Sequence, residues 1–258
     1  MPADERRNHL TELIRSRRFA SLPELADALA VSESTVRRDL EQLEEQGAVR
    51  RIHGGALYAG ASPKLPHFDM SQPAEWEQKR AIARRAAQLV ADGDSILLGG
   101  GTTIYEVARL LVGRPLHIVT NSLPVANLFA ADSNSNLILI GGNLCSRSGV
   151  TQGPYADQLL TTVRVRKAIL STAAINDEGF FNNNLLLVQT EQAMIRAASE
   201  VIIVADSTKF GHYSLGHVGP LCVAHHLIVD NRLPDPWRQK IAAAGVRLLI
   251  ADEELSSI

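Results

Sequence analysis

The residues best equipped for chemistry fall in two groups far apart in the chain. Ser34, Thr35, Arg37 and Arg38 crowd the start of VSESTVRRDLEQLEEQG, and Arg50, Arg51, His53 and Gly54 follow in AVRRIHGGA. Short hydroxyls permit close approach to a groove, and arginine grips a guanine edge or a phosphate with two parallel hydrogen bonds. That is the chemistry of contact with double-stranded DNA. In the second group, Gly100, Gly101, Thr102 and Thr103 close the run DSILLGGGTT. Thr120, Asn121 and Ser122 end LHIVTNS, while Asp206 and Lys209 sit in VADSTKFG. A glycine-rich turn opening a helix aims backbone N–H groups at an anion, and the helix terminus adds partial positive charge. With Lys209 as countercharge, this second group suits the holding of a phosphate.

Each group implies the elements that must carry it. For Arg37 and Arg38 to face outward, their helix must bury Val36, Leu40 and Leu43, whose spacing is helical. Ser32 opens that helix and Gly47 stops it. The preceding helix begins at Ser21 with Glu24 three residues on, a capping box, and carries Leu22, Leu25 and Leu29 on one face. A further helix over 5–17 presents Leu10, Leu13 and Ile14. A short helix, a tight turn and a second helix with small polar residues at its start form a helix-turn-helix, whose second helix enters the major groove. Val49, Ile52 and Leu57 around His53-Gly54-Gly55 predict a two-stranded hairpin with a glycine tip, placed as a wing against the DNA backbone or minor groove. The stretch 58–72, with Pro63 and Pro66, has no sustained period and reads as a semi-extended linker.

The second group needs strands that end in polar residues. DSILLGG, LHIVTNS, NLILIGG, KAILSTAAI, EVIIVADS, HLIVDN and VRLLIAD are such runs. Helical stretches at 74–90, 103–112, 123–131, 190–198 and 236–244 separate several of them. Continuous apolar strands alternating with helices predict a mainly parallel sheet covered on both faces, with ligands bound beyond the carboxyl ends of its strands. The fold class expected is α/β. A winged helix-turn-helix domain occupies 1–57, a linker 58–74, and a larger mainly parallel α/β domain 75–258.

Composition narrows the field. Hydrophobic residues make up 45% of 258, enough for a sizeable core, and no run reaches the roughly 20 apolar residues of a membrane span. Lys and Arg total 26 against 28 Asp and Glu, so any basic surface must be local. MPADERRNHL is charged and lacks the apolar centre of a signal peptide. Cys145 and Cys222 have no metal spacing and suit a reducing cytoplasm. His225-His226 lacks a third ligand, so neither a metal nor a cofactor is expected.

SLPELADALAVSESTVRRDLEQLEEQGAVRRIHGGA closely resembles the N-terminal winged helix-turn-helix of the DeoR family of bacterial transcription regulators, above all in VRRDLEQLEEQG followed by RRIHGGA. By that resemblance Ser34, Thr35, Arg37 and Arg38 belong to the recognition helix, and His53, Gly54 and Gly55 to the wing. Most of 75–250 resembles the family's effector domain, similar in fold to ribose-5-phosphate isomerase, with GD, GTT, TNS, GG and DSTKFG in that order. The resemblance implies a cytoplasmic repressor of carbohydrate catabolism genes that senses a phosphorylated sugar or related metabolite. A single winged head has little contact area and specific sites are generally paired, so a homo-oligomer, dimer or tetramer, is expected on the operator. One residue departs from the family pattern: Gly99 stands where an acid often precedes the glycine-threonine loop.

Plainer readings stand beside these. GGGTT also suits a tight turn that binds nothing, and Lys209 an exposed loop whose Asp206 caps a turn. Asn182, Asn183 and Asn184 fit either sugar hydroxyls or a surface turn. The alternative from another class is an active sugar-phosphate isomerase or deaminase with a DNA-binding head. It would need a general base beside a bound carbonyl and an oxyanion partner. Asp206 and Lys209 offer themselves for those roles, but Gly99 stands where the resemblance implies an acid and no other pair of acids stands out at a strand end, so no catalytic residue is expected.

Overall fold

The computed structural model describes residues 3–17, 19–45, 49–52, 55–58 and 73–251. The chain divides into two compact units, Met1–Lys64 and Leu65–Ile258. Gly47, His53, Gly54 and most of the expected linker lie outside the described residues.

The first unit contains α1 (Ala3–Arg17), β1 (Phe19–Ser21), α2 (Leu22–Leu29), α3 (Glu33–Glu45), β2 (Val49–Ile52) and β3 (Gly55–Tyr58). The helical stripes meet as their spacing demands: Leu10, Ile14, Leu25, Val36, Leu40 and Leu43 form one buried cluster with Val49 and Ala56. Each such side chain contributes on the order of 1.5–3 kcal/mol by leaving water. The capping box at Ser21 and Glu24 is present, and Ala30 ends α2 in the left-handed conformation. Asp39, buried on α3, takes Arg6 Nε at 2.5 Å and Arg6 Nη2 at 3.2 Å, which fastens α1 to α3. The expected two-stranded hairpin is instead three-stranded, in the order β1-β3-β2. Phe19, Ala20 and Ser21 pair with Leu57, Ala56 and Gly55, a strand too short to reveal a period in sequence.

The second unit runs α4 (Pro73–Ala87), β4 (Ser95–Leu98), α5 (Thr102–Leu111), β5 (His117–Thr120), α6 (Leu123–Phe129), β6 (Asn136–Leu139), β7 (Asn143–Cys145), β8 (Val150–Gln152) and α7 (Pro154–Thr162). It continues with β9 (Val165–Ser171), β10 (Ala174–Asn176), β11 (Gly179–Asn182), α8 (Leu185–Ala197), β12 (Ala198–Val204), β13 (Gly216–Gly219), β14 (His226–Asp230), α9 (Asp235–Ala243) and β15 (Arg247–Ala251). The apolar runs singled out in the sequence supply a seven-stranded sheet, β15-β14-β12-β9-β4-β5-β6, in which every pairing is parallel. Successive residues go to opposite faces. Leu97, Ala168, Leu170, Val201 and Ile203 join one core, while Ile96, Leu98, Ile169, Ile202 and Val204 join the other. Two covered faces explain why the inner strands are so apolar, whereas the edge strand β6 leaves Ile138 and Leu139 exposed.

Strand order fixes where a ligand could enter. From β4 the chain builds outward through β5 to β6, then returns to β9 on the other side of β4 and builds through β12, β14 and β15. The topological switch point therefore lies between β4 and β9, where the two connections leave the sheet in opposite directions and open a crevice.

Candidate functional site

On α3, Ser34, Arg37 and Arg38 are exposed, and Thr35 is half-buried. Ser32 Oγ lies 2.8 Å from Ser34 Oγ and 2.9 Å from Thr35 Oγ1, and it accepts the Thr35 N–H at 3.3 Å. Three hydroxyls thus sit in one cluster at the positive end of the helix. Arg37 reaches Glu33 one turn back, at 3.4 Å. Arg38 has neither an ion pair nor a hydrogen bond among the described residues. Arg51 is placed differently from the sequence expectation of an open wing cation. It pairs with Glu41 at 2.7 Å and with Glu44 at 2.9 Å, and its N–H donates to Glu44. Those two carboxylates raise its pKa and tie β2 onto α3. Arg50 lies on β2 opposite Leu57.

In the second unit a cleft of about 580 Å3 opens at the switch point. Gly100 and Gly101, after β4, form its floor together with Ser171 at the end of β9. Both glycines are required. A Cβ on Gly100 would come within 2.3 Å of Val150 Cγ1, and Gly101 has φ +107° with Ser171 Oγ 2.8 Å from where a Cβ would stand. Gly101 caps α5 without any side-chain hydrogen bond, so the first N–H groups of that helix are not taken by a capping side chain. Thr102 is the first helical residue and Thr103 is buried, so neither is the cap.

The turn between β7 and β8 brings Cys145, Arg147 and Ser148 to the cleft. The Ser148 hydroxyl and the Arg147 and Ser148 N–H groups draw the Cys145 thiol below its usual pKa, against the opposing effect of burial. The far wall is Asn182, Asn183, Asn184 and Glu191. Two of the asparagines are structural. Asn184 caps α8 by accepting from Leu186 and Leu187 N–H, and Asn182 donates to Glu191 Oε1 at 2.9 Å. Burial pushes the Glu191 carboxyl up to about 8, only partly offset by that hydrogen bond. At neutral pH the wall is polar but uncharged.

The other expected residues lie outside this lining. Thr120, Asn121 and Ser122 are fully buried. Thr120 Oγ1 donates to Leu98 O at 2.7 Å, Asn121 Nδ2 to Thr151 O at 2.7 Å, and Ser122 caps α6. The side chains of Thr120 and Asn121 thus join strand ends together. Asp206 caps the short 3-10 turn Ser207–Lys209 that follows β12, one strand beyond β9, and Lys209 does not line the cleft. Position 99 faces Leu170 Cδ2, 3.1 Å from where a Cβ would stand, and is also outside the lining.

Sequence reasoning missed Arg147, Ser171 and Glu191. With α8 begun at 190, Glu191 reads as an exposed first-turn acid. Begun at Asn184, the helix places it three residues from both Val188 and Met194, on the buried side. Arg147 carries no periodic signal, because it sits in a turn between two three-residue strands.

Comparison with known proteins decides the family. A profile of the DeoR-like helix-turn-helix domain matches residues 6–61, and one of the DeoR C terminal sensor domain matches residues 74–231. The chain belongs to the DeoR family. It is 33% identical to the uncharacterized HTH-type transcriptional regulator YulB of Bacillus subtilis, over 90% of each chain. It is 32% identical to the glycerol-3-phosphate regulon repressor of Escherichia coli, over 96% of this chain and 99% of that one. The lactose phosphotransferase system repressor of Staphylococcus epidermidis is 31% identical, over 88% and 92%. Among solved structures, ribose 5-phosphate isomerase A from Methanocaldococcus jannaschii aligns over 53% of this chain and 55% of that one, at 19% identity and a TM-score of 0.39. This DeoR-family chain therefore joins a DNA-binding head to a small-molecule sensor domain. Among its described residues no helix is long and apolar enough to cross a membrane.

Proposed function

We propose that this DeoR-family regulator is a repressor of carbohydrate-utilisation genes and that a phosphorylated sugar, bound in the switch-point cleft, changes its hold on the operator. The observation that carries the proposal is the cleft's mixed lining. It combines the α5 N-terminus at Gly100 and Gly101 and the cationic residue Arg147 with uncharged amides and a buried carboxyl. A compound with one anionic end and a hydroxyl-bearing remainder matches that mixture. The names of two relatives, a glycerol-3-phosphate regulon repressor and a lactose phosphotransferase system repressor, point the same way.

At the head, Arg38 and Arg37 reach base edges or phosphates, Ser34 and Thr35 allow the close approach, and Arg50, His53 and Gly54 follow the backbone. Two heads in a dimer or tetramer occupy paired half-sites in the cytoplasm. The effector acts by binding the operator-competent and operator-incompetent states unequally. No turnover is expected, since Glu191 is the acid lining the cleft and holds its proton at neutral pH, the wrong state for a base.

The test is thermal stabilisation by phosphorylated sugars and by their unphosphorylated parents, paired with operator titration. Saturable stabilisation by phosphates alone, with altered operator affinity and no chemical conversion, is the expected result. Equal binding of the parents, or turnover, would contradict it.

A further inference from the structure

Glu191 is more than nine-tenths buried, yet it lines a cleft. Its Oε1 receives Asn182 Nδ2 at 2.9 Å, and its Oε2 is sealed from solvent with no hydrogen-bond partner among the described residues. An unpaired buried carboxyl oxygen costs free energy that some partner normally relieves. The surrounding elements do not supply that partner. On α7, Asp157 accepts from Thr190; on β13, His217 bonds Glu178 O. On β9, Lys167 and Arg166 pair with Asp94, and Lys167 also approaches Glu200 of β12. Arg196 lies in the last turn of α8 itself. The other ionisable groups lining the cleft are Arg147 and Cys145.

We propose that Glu191 is a specificity-determining residue of the effector cleft, engaging as a neutral carboxylic acid that donates its proton to a hydroxyl or carbonyl oxygen of the ligand's uncharged end. This rests on the reading of the cleft as a sugar-phosphate site and deepens it. Asn182 donates to Oε1 and so leaves the proton on Oε2, which is covered in this structure and meets the ligand's oxygen only when the Glu191 side chain turns into the cleft on binding. A carboxylate at the same place would instead repel the anionic ligand. Ligand binding is therefore coupled to retention of one proton.

The coupling gives a signature. Burial sets the Glu191 midpoint at about 8, so a ligand that requires the protonated form should bind about tenfold more weakly at pH 9 than at pH 7. Over the same range the ligand's own phosphate becomes more negative, which by itself favours Arg147 and the α5 terminus. A fall therefore originates in the protein. Two groups lining the cleft can produce it, Glu191 and the Cys145 thiol, and variants separate them.

The experiment is calorimetric titration of the full chain with ribose 5-phosphate and with glycerol 3-phosphate at pH 7 and pH 9. It compares the native protein, Glu191→Gln and Cys145→Ser. The expected result is a tenfold loss in the native protein and in Cys145→Ser, and none in Glu191→Gln, which keeps a neutral amide at that place. A fall that persists in Glu191→Gln, or disappears in Cys145→Ser, overturns the proposal while leaving the cleft a sugar-phosphate site. So does pH-independent binding by the native protein. If Glu191→Gln fails to fold, the native and Cys145→Ser profiles decide. Binding of neither compound at pH 7 overturns the underlying reading of the cleft instead.

Discussion

Helix α3 of the head and the switch-point cleft of the sensor domain handle polar side chains in opposite ways. On α3 Ser34, Arg37 and Arg38 are exposed, while Arg6 of α1 and Arg51 of β2 are committed to Asp39 and to Glu41 with Glu44. In the cleft a buried acid is kept from ionising, and two asparagines are fixed by Glu191 and by the start of α8. The difference follows from the partner. A highly charged duplex is met by mobile surface cations that displace its counterions, whereas a small ligand must be enclosed by groups already in place.

The sharpest way to break this contrast is Arg38→Ala. With Arg38 unpaired within the described residues, the variant should lose about 1–3 kcal/mol of operator affinity, roughly five- to 150-fold, if it reads a base. Sugar-phosphate binding should be unchanged. Operator titration at two salt concentrations checks it, and a phosphate-only contact would show as a shallower salt slope with uniform weakening. Arg37→Ala should cost less, because Glu33 already shares its charge.

Gly100→Ala is the matching blow to the cleft. The added methyl meets Val150 Cγ1, and overpacking of this kind costs about 1–3 kcal/mol of stability. Thermal unfolding and phosphate titration should both register it, while operator binding by the surviving folded fraction stays near native. Ordinary stability with full effector affinity would show that β8 yields and the floor is not fixed.

Much of this was legible in the residues. The stripe Val36, Leu40 and Leu43 placed α3 and sent Arg37 and Arg38 outward, and seven apolar runs announced a parallel sheet because both of its faces are covered. Polar strand ends were harder. Thr120, Asn121 and Ser122 look like ligand donors in sequence, yet Ser122 caps α6, and the partners of Thr120 and Asn121 are backbone groups on other strands, contacts that only the three-dimensional fold reveals. Asp206 and Lys209 follow a strand one place further from the switch point, and strand order is not written in local patterns. Glu191 was hidden by a misplaced helix start.

Two effects of pH sharpen the contrast between acids. Glu191 binds its proton more tightly in the folded chain than in the unfolded one. Its contribution to stability is therefore full in acid and declines as pH rises from the ordinary glutamate range to about 8. Glu191→Gln should accordingly melt higher than the native protein at pH 8, and the gap should close toward pH 4. Asp94 behaves in the reverse sense. Burial raises its pKa, but the Lys167 ammonium, the Ala91 N–H and Arg166 outweigh that and hold it below the usual range. Its stabilisation is present above the ordinary aspartate range and is lost as pH falls through the lowered value. Asp94→Asn should remove this acid-side loss in pH-dependent melts. The smallest expected effect is that of Arg51→Ala on operator affinity, since that cation is already paired twice. A loss as large as that of Arg38→Ala would mean the wing, not α3, dominates the contact.

The most direct test of the whole account is operator affinity measured with and without a saturating sugar phosphate, in the native protein and in Arg147→Ala. Arg147 lines the cleft and belongs to the second unit, so its loss should leave the head intact. The account predicts that the native protein changes its operator affinity on adding the phosphate. Arg147→Ala should bind the operator as tightly as the native protein does without ligand, and show no change at the same ligand concentration. An Arg147→Ala protein that responds like the native one would contradict the assignment of the cleft as the place where the signal enters.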